Sequence, residues 1–225
     1  MTFIELFSGT GTFATVARSR GHAGITIDAF QPADVDLDVL EINSYDILDW
    51  LDGDHIDLLW ASPPCQGFSV ASIGRMWAEP GVPKHPTAEL GLRLLEKTLL
   101  LIEELGPTAW FIENPRGMMR RTPALAKFMR HTVTFCQYGE ERMKPTDIWT
   151  NCASWTPRPA CKNGDTCHVA APRGSLTGTQ GIKGAKERGR LPIALCVEVI
   201  EAAEEAAYLR DDMYQHSPTR IEFGV

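Results

Sequence analysis

No stretch of this 225-residue chain is apolar for long enough to cross a bilayer, since even the richest, residues 90–105, carries Arg93, Glu96, Lys97, Glu103 and Glu104. The first residues also lack the basic start and small-residue cleavage site of a secretory leader, and run straight into Phe3-Ile4-Glu5-Leu6-Phe7. A cytoplasmic protein is expected, with no membrane partner. The six cysteines include no Cys-x2-Cys pair, and in a reducing compartment they should be thiols, a nucleophile or metal ligands rather than disulfides. Excess positive charge is missing too. At a net charge of −7 the chain is not a uniformly basic polyanion binder, because Lys and Arg supply most of the sequence-independent affinity for phosphates. There is no internal repeat.

The charge is, however, unevenly distributed. Between Gln31 and Asp57 stand Asp34, Asp36, Asp38, Glu41, Asp46, Asp49, Asp52, Asp54 and Asp57 with no Lys or Arg among them. The basic residues gather later, as Arg116, Arg120, Arg121, Lys127 and Arg130, then Arg142 and Lys144, then Arg173, Lys183, Lys186, Arg188 and Arg190. Any anionic partner is expected on the side away from residues 31–57.

The chain is long enough for one sizeable core and too short for two enzymatic domains. Residues 3–7 read as a buried strand, 13–20 as a helix closed by Gly21, and 24–28 as a second strand. Residues 56–61 form a third apolar run, stopped by Pro63-Pro64, and an amphipathic helix over about 87–105 and a strand over 109–112 follow. Strands alternating with helices predict an α/β fold with a mostly parallel sheet, whose ligands sit outside the carboxyl ends of the strands. After residues 133–135 the texture becomes rich in Pro, Gly and Thr, then a helix is expected over about 192–209. The division expected is a core over 1–150, a loop-rich annex over 151–189, and over 190–225 a helix that packs back on the core, ending in a poorly ordered tail or short edge element.

Three motifs lie at predicted strand ends. In Glu5-Leu6-Phe7-Ser8-Gly9-Thr10-Gly11-Thr12-Phe13, glycines let the backbone approach a cofactor, and Asp28 ending the next strand is suited to ribose hydroxyls. Ala14 stands where the third glycine of a pyrophosphate-binding loop belongs, so a cofactor without phosphates fits better. Asp46-Ile47, further on, is placed to hold an adenine. In Ala61-Ser62-Pro63-Pro64-Cys65-Gln66-Gly67-Phe68-Ser69, a cysteine follows a buried strand on a loop stiffened by prolines, where a thiol can be activated and aimed. In Phe111-Ile112-Glu113-Asn114-Pro115-Arg116-Gly117 a carboxylate ends another strand, so Glu113 and Cys65 can be presented together.

In order and in content these blocks resemble the cytosine-C5 DNA methyltransferase family, and the compact length resembles its phage-like members. The resemblance implies a Rossmann-like fold and S-adenosylmethionine held by Phe7, Ser8, Gly9, Thr10, Gly11, Thr12, Phe13 and Pro63. It implies further that Asp28 meets the ribose and Asp46 and Ile47 the adenine. Cys65 would be the nucleophile, Glu113 the acid beside the base, and Arg142 the cation that steadies the adduct. Gln137-Tyr138-Gly139 with Arg142 and Lys144 resembles the family's arginine-bearing motif, and Gly189-Arg190-Leu191-Pro192-Ile193-Ala194 its last. The implied partner is double-stranded DNA, bound by a monomer in a bacterium or an infected host cell.

The chain departs from the family at Glu5 for aspartate, Thr12 for glycine, Pro115 for valine, and in a long target-recognition region reduced to residues 151–188. A catalytically silent DNA-binding relative, or an enzyme acting on RNA or with a modified cofactor, is the alternative; retention of Cys65, Gln66 and Glu113 argues against the silent one. Within the annex, Cys152-x8-Cys161-x5-Cys167-His168 has ligand types that suit zinc but no knuckle spacing, and adjacent Cys167 and His168 are expected not to ligate together. No metal site is assigned from the spacing, and zinc and free thiols both stay open. Residues 171–181 mix a cation, hydroxyls and an amide of the kind that contacts phosphates and base edges.

Overall fold

The computed structural model of the protein describes residues 1–70, 73–170 and 184–216. Arg173, Lys183, the loop over 171–181 and residues 217–225 lie outside the described residues.

Strands β1 (Thr2–Leu6), β2 (Ala23–Ile27), β3 (Leu58–Ala61) and β6 (Ala109–Pro115) pair in parallel in the order β2-β1-β3-β6. Helices α1 (Thr12–Ser19), α2 (Ser44–Trp50) and α4 (Pro86–Leu105) lie between them in sequence. The short α3 (Ile73–Met76) and the two-stranded ribbon β4 (Trp77–Glu79) and β5 (Val82–Pro83) sit between β3 and α4. The strands read as nearly continuous apolar runs because both faces are covered, and alternate side chains feed two separate cores. Ile4, Leu6, Leu59, Ala61, Trp110 and Ile112 pack with residues of α2 and α4 on one face. Phe3, Leu58, Trp60, Ala109 and Phe111 pack with α1 and the C-terminal helix on the other. There Phe13 stacks on Trp60 at 4.8 Å and Trp60 on Phe111 at 6.2 Å, an aromatic row under the ends of the central strands.

Helix α4 starts where Pro86 supplies a preset φ at its first position and the His85 ring accepts from the Thr87 amide, and it stops at left-handed Gly106. The last helix, α6 (Ile193–Gln215), runs beyond its expected end near residue 209, which corrects the reading of 211–215 as tail. The cause is tertiary: Arg210 reaches Asp57 Oδ1 at 2.6 Å and Thr108 Oγ1 at 2.8 Å and so pins the helix against the sheet.

The far edge was only partly foreseen. Strand β7 spans Met129–Thr134, and β8 (Pro145–Thr150), not anticipated, inserts between β6 and β7 and runs antiparallel to both. Its burial of Asp147 is compensated, since Arg120 Nε donates to Asp147 at 2.8 Å and so does Thr132 Oγ1. Because β8 is reversed, its first residues lie beside the carboxyl end of β6, with Pro115 opposite Thr146. Residues 144–145 are thereby delivered to the end of the sheet where the motifs lie. The first part of the annex is not a separate body: Trp155 is buried edge-on to Phe111 at 5.5 Å. The small α5 (Ala185–Gly189) precedes α6.

Candidate active site

From β1 the chain passes to β2 on one side and then crosses back to β3 on the other, so the strand order reverses between β1 and β3, and a crevice opens at such a switch point. The cysteine loop follows β3 at that end of the sheet. Cys65–Phe68 is a single 3₁₀ turn, with Cys65 exposed and Phe68 buried against Trp77. Three contacts fix it. Asn114 Nδ2 donates to the Pro63 carbonyl at 2.8 Å, Trp77 Nε1 donates to the Gly67 carbonyl at 2.7 Å, and Gly117 lies so close to Phe68 that a Cβ there would meet the Phe68 carbonyl oxygen at 2.2 Å. The Glu-Asn-Pro segment of β6 thus supplies both a carboxylate and the clamp for the thiol's loop.

Glu113 is buried, and its Oε1 has no hydrogen-bond partner. Burial pushes its carboxyl above the ordinary carboxylate range, while Lys144, a hydrogen bond with Ser62, and Arg142 pull the other way. Ser62 is itself held by Trp60 Nε1 at 2.9 Å. The Cys65 thiol reaches solvent but is closely surrounded: desolvation raises its pKa first, then the Glu113 carboxylate, with Lys144 acting against both. Lys144 Nζ stands 3.9 Å from Glu113 Oε1 and 4.3 Å from the centre of the Phe135 ring. Desolvation lowers its pKa, against the pull of Glu113. Its φ of 30° is left-handed, as is that of Phe7 at 58°, so two non-glycine residues at this end of the sheet carry backbone strain.

Arg142 is placed differently from the role the sequence suggested. Its guanidinium donates to both carboxylate oxygens of Glu140 and to the carbonyls of Glu187, Arg188 and Arg190. All five donors of an arginine are accounted for. Arg142 straps α5 and the start of the last motif to the core, and among the described residues the cation beside the Cys65–Glu113 pair is Lys144, 3.9 Å from Glu113. Sequence reading lacked the signal for this, because β8, which positions Lys144, has no clean strand periodicity.

On the other side of the crevice, Gly9 (φ 55°) and Gly11 (φ 65°) turn the chain into α1, and Gly11 has open space where a side chain would sit. Ser8 Oγ is buried without a partner, and Thr10 and Thr12 share a hydroxyl contact of 2.7 Å. Phe13 lies wholly in the core, stacked on Trp60. Asp28 accepts from the amides of Gly9, Phe30 and Gln31, three of about four lone-pair directions of a carboxylate. Two expected adenine contacts are otherwise engaged. Ile47 is wholly buried, and Asp46 closes a capping box with Asn43 at the start of α2. Pro63 is buried beneath the cysteine loop.

Glu5 explains why this loop suits a ligand without phosphates. Its Oε2 accepts from the Ala14 amide at 3.0 Å, so a carboxyl group of the protein already occupies the start of α1, the position a phosphate would take. Desolvation pushes its pKa up to about 8, although the Ala14 amide and Arg18 favour the ionised form. The folded protein therefore holds this proton more tightly than the unfolded chain, and stability falls as pH rises from about 4.5 to about 8. Glu5→Gln should flatten that slope, and the stability difference between the two proteins should change by a few kcal/mol at most across the window. Melting temperatures taken at steps through that range check it; parallel curves would refute it.

Of the basic residues, Arg120 is tied to Asp147, and Arg18 and Arg20 to Asp34 and Glu204. Arg116, Arg121, Lys127 and Arg130 are exposed on the segment after β6. No helix among the described residues is long and apolar enough to cross a membrane.

A mostly parallel sheet with helices on both faces, opening its strand ends between a glycine turn and a cysteine loop, is a Rossmann-like α/β fold of the methyltransferase kind. Residues 1–133 match the model of the C-5 cytosine-specific DNA methylases, and the chain belongs to that family. It is 29% identical, over 222 residues covering 89% of this chain and 99% of the relative, to a protein of Frog virus 3 (isolate Goorha) named as a probable DNA (cytosine-5)-methyltransferase. Among solved structures, Entamoeba histolytica methyltransferase EhMeth aligns with a TM-score of 0.49 at 15% identity, over 72% of this chain and 57% of that one. The S. pombe Dnmt2 methyltransferase aligns with a TM-score of 0.46 at 14% identity, over 67% and 48%. The chain spans about half the length of the solved methyltransferases it matches.

Proposed function

We propose that this chain methylates carbon 5 of cytosine in double-stranded DNA, with S-adenosylmethionine as donor and Cys65 as a transient covalent nucleophile. One observation carries the reading: an exposed thiol, a buried carboxyl with an unpartnered oxygen and a desolvated ammonium share one end of the sheet. Unpartnered Ser8 Oγ and the open backbone at Gly11 fit the donor, and Asp28 keeps about one acceptor direction for a hydroxyl. S-adenosylmethionine, when bound, supplies a sulfonium methyl.

The residues then divide the work. Cys65 Sγ, as thiolate, bonds to carbon 6 of the cytosine, and the displaced electron pair moves to N3. Glu113, whose burial favours its protonated form, gives a proton to N3, which leaves carbon 5 as the nucleophilic carbon of an enamine. Lys144 balances the charge that passes between thiolate, ring and carboxylate. Once carbon 5 has taken up the methyl group, its proton leaves to water, the double bond between carbons 5 and 6 re-forms, Cys65 departs as the thiolate, and N3 returns its proton to Glu113. A stacked base cannot meet a thiolate on its ring, so the cytosine must swing out of the duplex at a cost of a few kcal/mol. Phosphate contacts by Arg116, Arg121, Lys127 and Arg130, with the reduced annex over 151–189, offset it.

Incubation with S-adenosylmethionine tritiated in the methyl group tests this. Label should appear in duplex DNA as 5-methylcytosine; label confined to RNA would overturn the substrate, and label in neither would overturn the reaction.

A further inference from the structure

Four metal-ligating atoms converge away from the crevice, on a group of residues that the sequence alone did not assemble. Cys136 lies in the 3₁₀ turn after β7, and Cys161, Cys167 and His168 lie in the annex. Their Sγ atoms and one ring nitrogen fall within 4.8 Å of one another. The separations are 3.2 Å for Cys136–Cys161, 3.7 Å for Cys136–Cys167, 3.6 Å from Cys161 Sγ to His168 Nδ1 and 3.5 Å from Cys167 Sγ to His168 Nδ1. A zinc ion with Zn–S of about 2.3 Å and Zn–N of about 2.0–2.1 Å at tetrahedral angles demands edges of about 3.8 Å between sulfurs and about 3.6 Å between sulfur and nitrogen. Three of these four edges agree to about 0.1 Å, the fourth is shorter yet far outside the roughly 2.05 Å of a disulfide bond, and the remaining two edges of the six lie within 4.8 Å.

From this geometry we infer that Cys136, Cys161, Cys167 and His168 bind one zinc ion in a closed Cys3His site. The site differs from the sequence expectation in two respects. Cys152 takes no part, because its thiol is buried against Ser154 and the Ala202 carbonyl. Adjacent Cys167 and His168 do both point inward, the turn between them bringing Sγ and Nδ1 to one centre. Around the four, Gln137 Nε2 donates to Cys167 Sγ at 3.4 Å, a bond that a thiolate ligand accepts well, and the Cys161 amide donates to Thr134 Oγ1 at 3.0 Å, which holds the Cys161 backbone in place. Four protein ligands leave no open position, so the ion is structural rather than catalytic.

Its effect on the molecule follows from what the ligands join. Cys136 is next to Phe135, whose ring lies under Lys144, and Val169 donates to the Glu141 carbonyl at 2.8 Å. The ion clasps residues 161–169 onto the turn that leads into the segment carrying Arg142 and Lys144, doing with one bond set what a short loop-rich segment cannot do through a core of its own.

The test needs no assay of methylation. Full-length protein purified without chelator should contain zinc in stoichiometric amount, and the protein refolded with cobalt(II) should show the intense visible bands of a tetrahedral thiolate site. Cys161→Ser and Cys167→Ser should each weaken zinc retention by at least about tenfold, whereas Cys152→Ser should keep it. Wild-type protein free of metal, a pale octahedral cobalt spectrum, or zinc that persists in both serine variants but is lost in Cys152→Ser would overturn the assignment. Since zinc content is read on its own, a failure here leaves the Cys65 reaction standing, and the reverse holds.

Discussion

Cys65→Ala should abolish methyl transfer, by more than about a thousandfold, while the protein remains folded and still binds DNA and S-adenosylmethionine. The separation of effects follows from how the loop is held. Its position depends on Asn114 at the Pro63 carbonyl, Trp77 at the Gly67 carbonyl and Phe68 in the core, none of which involves the thiol. Removing an exposed sulfur should change stability by no more than about 0.5 kcal/mol. The sharper measurement is covalent trapping. With an oligonucleotide carrying 5-fluorocytosine and donor present, carbon 5 has no proton to lose, so the Cys65–carbon 6 bond cannot break and the wild-type protein should run as a cross-linked species. The variant should give none. Cross-linking that survived in Cys65→Ala, or an uncross-linked wild type, would remove Cys65 from the reaction.

The second large effect should separate two neighbouring cations. Arg142→Ala strips donors from Glu140 and from three carbonyls of residues 187–190, so a loss of about 3–5 kcal/mol is expected, seen as a fall in melting temperature. Lys144→Met keeps the aliphatic stem against Phe135 and removes a desolvated charge, so stability should hardly change. Its turnover should drop by about 10²–10³-fold, the range for losing one preorganised electrostatic group. Burial lowers the Lys144 pKa, so wild-type activity should fall on the alkaline side as the ammonium loses its proton, and Lys144→Met should lack that limb. If Arg142→Ala were stable but inactive and Lys144→Met fully active, the cation of the site would be Arg142 after all.

The family and the parallel half of the fold could be read from the chain because their signals are local. A strand buried on both faces is a run of apolar residues, a loop that approaches a ligand needs glycine, and Cys65 and Glu113 each end such a run, so period and punctuation place them without knowledge of neighbours. Most boundaries shifted by one to three residues, for the same reason that element ends fray. The larger differences arise where distant segments meet. Strand β8 is polar in sequence, and it becomes a strand because Arg120 and Thr132 compensate its buried Asp147.

The chain by itself therefore determined which strand ends hold the residues of the proposed site: Cys65 after β3, Glu113 on β6 and the glycine turn after β1. Only the tertiary structure decided that Lys144 rather than Arg142 stands nearest the pair, that α6 continues to Gln215, and that Cys136 completes the group with Cys161, Cys167 and His168. The physical reason is separation. A reversed edge strand, a salt bridge from Arg210 to Asp57 and a ligand 25 residues from its nearest partner are held by contacts that sequence spacing does not record.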